Sequence, residues 1–223
     1  MGLDMYLDKA KRIDGATAND IYTIEDYFGW KLRPSKYEKS SMKQWCGRNQ
    51  SDVNKELADK YLYEYKTRYY GWDDEKKYGH LGLRDGVAYW RKANAIHNWF
   101  VENVQNGVDD CGVYEVTKEN LEELLHACKA VKSHSKLVDG KIKNGQRLNN
   151  EKWEWEDVIE DGKCIENPSV AKALLPTASG FFFGGTDYDE WYLNDIIYTI
   201  DVLTEILRET DFDHEIVAYT SSW

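Results

Sequence analysis

The densest concentration of groups able to recognise or react lies between Tyr89 and Gly112, YWRKANAIHNWFVENVQNGVDDCG. Trp90 offers a stacking surface, Arg91, Asn94 and Asn98 offer hydrogen-bond donors, and His97 offers a titratable ring. Together they suit a planar polar or anionic ligand of nucleotide-like chemistry, held by stacking and charge-assisted bonds. Asp109 and Asp110 have two uses: binding a divalent cation, a ribose or an amine, or accepting N–H bonds within a turn. Cys111 as nucleophile with His97 as base is the hydrolytic alternative, and a cation on Asp109 and Asp110 is its variant.

A second polar cluster follows the run GFFFGG: Thr186, Asp187, Tyr188, Asp189, Glu190 and Trp191, with Ser179 just before it. Ser179, Tyr188 and Trp191 are expected to form the wall opposite the first cluster. The Gly184-Gly185 turn would expose N–H groups to an anion at a helix start, but the acids of that first turn are positioned to satisfy them. Asp211, Asp213 and His214 are metal-ligand types at a turn where Asp caps are common. No cofactor motif is present.

These groups need elements to hold them. At ~100° per residue, Tyr89, Ala93, Ile96, Phe100 and Val104 fall on one stripe, which predicts a core-facing helix stopped by Asn106-Gly107. Thr117 predicts the N-cap of a second helix carrying Leu121, Leu124, Leu125, Cys128 and Val131. Asn167-Pro168 opens a short third helix. Thr186-x-x-Asp189 predicts a capping box before Leu193, Ile196, Ile197, Ile200, Leu203 and Leu207.

Leu3, Met5 and Leu7 alternate with Asp4, Tyr6 and Asp8, the period of a half-buried strand. Its expected partner is EIVAYTS at Glu215–Ser221. Phe181–Phe183 reads as a short buried strand. Residues 135–167 read as a surface hairpin insertion with Trp153 and Trp155. Asp139-Gly140, Asn144-Gly145 and Asp161-Gly162 are its candidate turns. Within 11–86 the expectations are a helix from about Asp52 to Tyr70 and a loop from Gly71 to Gly86. The whole, 1–223, is expected to be a single α+β domain. Its sheet is mixed or mainly antiparallel, with N- and C-terminal strands paired, and three or four helices pack on it.

Composition narrows the function classes. A net charge of −11 excludes a general phosphate-backbone binder. Hydrophobic residues at 42%, with 9 Trp and 16 Tyr, supply a core. Cys46, Cys111, Cys128 and Cys164 form no C-x-x-C pair and read as reduced thiols in a cytoplasmic setting. No stretch approaches the ~20 apolar residues of a membrane span, so no membrane partner is expected.

The blocks MGLDMYL, YWRKANAIHNWFVENVQNGVDDCG, LLPTASGFFFGGTDYDEWY and the final SSW resemble a family of uncharacterised bacteriophage and prophage proteins. They cover about a third of the chain, in matching order. A phosphoglycerate kinase label attached to some members does not transfer, because the chain is too short for that two-domain enzyme and lacks its glycine-rich nucleotide site. The resemblance implies a phage origin and action on a bacterial host, in its cytoplasm. The first expectation is thus a non-enzymatic binder of a small polar host molecule, such as a nucleotide-derived defence signal. The others are the hydrolase and a module that blocks a host protein through an acidic, aromatic surface. Self-association into a homo-oligomer is also allowed.

Overall fold

In the computed structural model, residues 2–31, 69–71, 79–81, 83–149 and 153–223 are described. In chain order they form β1 (Asp4–Lys11), α1 (Ala18–Lys31), β2 (Tyr69–Gly71), β3 (Gly79–Leu81), β4 (Arg84–Arg91) and α2 (Asn94–Asn103). Then follow β5 (Tyr114–Val116), α3 (Lys118–His134), β6 (Leu137–Asn149), β7 (Glu154–Ile165), α4 (Ser169–Leu174), α5 (Glu190–Glu209) and β8 (Glu215–Ser222).

The terminal strands do meet. β1 pairs β8 antiparallel from Asp4↔Ser222 to Lys11↔Glu215, and the main sheet has the order β4-β1-β8-β5. Every pairing in it is antiparallel, giving an α+β fold. Alternation explains its two buried faces. Val217 and Tyr219 of β8 join Leu3, Met5, Leu7, Trp90, Phe100, Leu121, Leu124, Ile196 and Leu203 in one cluster. Ile216 and Ala218 join Ala10, Ile13, Ala18, Ile21 and Ile24 in another. So α2, α3 and α5 cover one face and α1 covers part of the other, which is why the central strand β8 is apolar on both sides.

Local chemistry fixes the helix ends. Thr117 caps α3 in a reciprocal box with Asn120, as expected for the residue, worth about 1 kcal/mol. For α5 the cap is Asp189, whose carboxylate accepts from the Tyr192 N–H. The box predicted at Thr186 therefore lies three residues too early.

Other expectations need larger correction. The predicted helix through Tyr89 begins only at Asn94, because Arg84–Arg91 is an edge strand paired with β1. The expected loop from Gly71 to Gly86 instead includes β3 and the start of β4. The helix expected from Asp52 lies outside the described residues as far as residue 68, and Tyr69–Gly71 is a strand. Phe181–Phe183 is a turn-rich loop and not a strand.

Residues 137–165 form the expected hairpin, but its proposed turns lie within the strands. Gly140 faces Gly162 across the ladder, and a Cβ on Gly162 would come within 2.5 Å of Ile142 Cδ1. That glycine gives Ile142 room. The Asn144-Gly145 step coincides with a bulge between Lys143 and Gln146.

Candidate functional site

Four segments converge at one end of the sheet: the first turn of α2, the turn Asp109–Gly112, the loop Thr177–Tyr188, and the end of β8 with Trp223. The change from β4 to α2 starts the arrangement. Lys92 takes φ 61, its N–H donates to Leu3 O, and the Asn94 N–H donates to Lys92 O. No side chain caps α2.

Asn94 is used differently. It is 4% exposed, and its Nδ2 donates to Phe183 O at 3.0 Å and to Gly185 O at 2.7 Å. Its Oδ1 accepts the Ala178 N–H at 3.1 Å. All of its stronger bonding capacity thus goes into the loop that carries the phenylalanine triplet. The Leu3 N–H adds a bond to Phe182 O, and Tyr188 Oη accepts the Thr177 N–H. The base of that loop is bound from three sides.

His97, one turn further on, is 1% exposed and has both ring nitrogens engaged. Nδ1 lies 2.6 Å from Tyr219 Oη and Nε2 lies 3.0 Å from Asp109 Oδ2. Burial holds the Tyr219 hydroxyl well above its ordinary range, so it keeps its proton. The chain of donors that satisfies every partner runs Tyr219 O–H to Nδ1 and Nε2–H to Asp109. Trp223 Nε1 donates to the other Asp109 oxygen at 3.1 Å. Tyr219 stacks on Phe100 with centroids 4.0 Å apart, and the Phe183 ring stands edge-on to His97 at 5.1 Å.

In outline this is a nucleophile, base and orienting acid. Its chemistry is otherwise: Tyr219 is fully buried, and a reaction needs an accessible nucleophile. Cys111 does not replace it. Burial pushes its thiol up, and the neighbouring Asp109 and Asp110 add to the shift. Asp110 accepts the Gly112 N–H and the Tyr114 hydroxyl, so both acids serve internal donors. Among the described residues no three His, Cys, Asp or Glu side chains come together to hold a metal ion.

The expected ligand site is therefore only partly assembled. Asn94, His97, Asp109 and the loop bearing Ser179 come together, with Asp110 adjacent and Tyr188 bracing the loop. Trp90 and Arg91 do not join them. As consecutive strand residues they point to opposite faces. Trp90 is 2% exposed with Nε1 bonded to Thr199 Oγ1, while Arg91 pairs with Asp4 on the other face. Asn98 is half-buried, and Trp191 is exposed on the first turn of α5.

Residues not singled out for a site supply its surface. Phe181 is 95% exposed and packs edge-on against Phe182, and Trp223 is half-exposed with its ring edge against Phe183. The GFFFGG run carried that signal: glycines on both sides of an aromatic triplet let the chain turn, and Gly184 takes φ 87. No family model, curated protein or solved structure matches this chain.

Proposed function

We propose that the protein is a non-enzymatic binding protein whose partner is another protein, gripped at the end carrying Phe181 and Trp223. The observation that carries this reading is Phe181 itself. Its ring lies almost wholly in water beside the half-buried Phe182, with the half-exposed Trp223 against Phe183, so several aromatics are left open together on a loop whose base Asn94, Leu3 and Tyr188 hold in place. Pre-ordering the loop removes an entropic cost that binding would otherwise bear. Aromatic anchors of this kind dominate protein interfaces.

The acidic balance of −11 and the neighbouring Asp109 and Asp110 favour a partner surface with basic groups. A small polar ligand is less well served, because Trp90, its stacking platform, is committed to the core. The resemblance to phage and prophage proteins makes a bacterial host protein the partner class proposed. Tagged wild-type protein and its Phe181→Ala variant, presented to the same bacterial lysate, test this. A protein captured by the wild type and lost by the variant is expected; identical captures, or none, would refute it.

A further inference from the structure

The outer edge of β7 is already used as a pairing edge at its base. The Ile165 N–H donates to Tyr188 O, Cys164 bridges Asp189 antiparallel, and the Lys163 N–H reaches Glu190 Oε1. In an antiparallel strand, every second residue turns its N–H and C=O to the same edge. The extra residue at the hairpin bulge belongs to β6, since three steps there match two in β7. The alternation therefore runs unbroken from Ile165 and Lys163 to Asp161, Ile159 and Asp157. Among the described residues no strand pairs with that part of the edge.

Side chains along the same stretch have a definite character. β7 reads EWEDVIEDGKCI, with Glu154, Glu156, Asp157, Glu160 and Asp161 against the single cation Lys163. Trp155 and Ile159 are exposed among them. Lys141 pairs with Asp161 in open water and the half-buried Lys143 with Asp157, but both are cross-strand pairs at the surface, where such contacts hold little. A two-stranded ribbon is also only marginally stable by itself.

We propose that the edge of β7 from Trp155 to Asp161 accepts an extended basic segment of another protein as an added strand, continuing the pairing that Tyr188 and Asp189 begin. Main-chain bonds would supply affinity, the five acids would select lysine and arginine, and Trp155 and Ile159 would take apolar side chains between them. This surface is distinct from the Phe181 loop and stands or falls separately.

The test uses the full chain and a labelled octapeptide of alternating lysine and valine, followed by fluorescence anisotropy and by amide NMR. The peptide should bind and shift the amides of Asp157, Ile159 and Asp161. N-methylation of its alternate backbone nitrogens should weaken binding by about tenfold. The double variant Glu160→Lys, Asp161→Lys should weaken it by about fivefold at low salt. Absence of binding, shifts confined elsewhere, or equal binding of the methylated peptide would overturn the proposal. The last result would show general attraction to an acidic protein and not strand addition.

Discussion

Asn94 and Phe183 are joined across 89 positions of chain by a 3.0 Å bond from the Asn94 amide to the Phe183 carbonyl. The same amide bonds Gly185 O and Ala178 N–H, so one buried side chain sets the geometry of the loop that displays Phe181. Replacing Asn94 should free that loop before it unfolds the protein. Asn94→Asp should cost more than Asn94→Ala, since a carboxylate would face two carbonyl oxygens. A destabilisation of about 2 to 4 kcal/mol for Asn94→Asp, with faster hydrogen exchange at the Ala178 amide, is expected.

His97 holds Tyr219 and Asp109 together, so its loss should be structural. His97→Ala should lower stability by about 2 to 4 kcal/mol in urea unfolding, from a cavity plus the buried Tyr219 hydroxyl left without its acceptor, while the half-buried Asp109 keeps only its bond from Trp223. Tyr219→Phe removes one hydroxyl and should cost about 1 to 3 kcal/mol. A His97→Ala protein as stable as its parent would contradict the role assigned to the ring.

Phe181→Ala should leave stability within about 0.5 kcal/mol, because its side chain is exposed and touches only the neighbouring Phe182 ring. The phenylalanine is thus free to be tested for recognition alone. A large drop in melting temperature would show that it packs in solution.

Cys111 should alkylate slowly at neutral pH, since its thiol is held above the ordinary range. Peptide mapping after iodoacetamide treatment gives the rate. Labelling faster than free cysteine would restore Cys111 as a candidate nucleophile.

Asp195, on α5, is pushed up from 3.8 to about 7, by burial first and by Asp189 second. Its folded form holds a proton more tightly than its unfolded form, so between those values the unfolded state binds fewer protons. Stability from this group is fully present at low pH and is lost as pH rises through about 7. Asp195→Asn should therefore stabilise at pH 8, by on the order of 2 kcal/mol once partial exposure is allowed for, and hardly at all at pH 4. An equal effect at both pH values would remove the assignment.

Much of the scaffold was legible from local patterns. Leu3, Met5 and Leu7 announced β1, the apolar run at 215–221 announced its partner, and Thr117 announced α3. The strand-to-helix change at Lys92 was hidden for a physical reason. No glycine or proline marks it, since a lysine takes the left-handed turn, and Tyr89 falls by coincidence on the helical stripe of Ala93, Ile96 and Phe100. That error carried Trp90 and Arg91 into the expected site. Asn94 and Tyr219 were illegible as partners because their bonds span 84 to 122 positions, and only folding brings them together. In Phe181–Phe183, aromatic character argued for burial, whereas the glycines on either side decided the outcome.

If Phe181 meets a protein partner as proposed, a photo-crosslinker in its place will capture it. With benzoylphenylalanine at position 181, irradiation in bacterial lysate should yield one discrete crosslinked protein. Excess unlabelled wild type should compete it away, and excess Phe181→Asp should not. A diffuse ladder, no crosslink, or a product that Phe181→Asp competes equally well would show that Phe181 grips no specific protein.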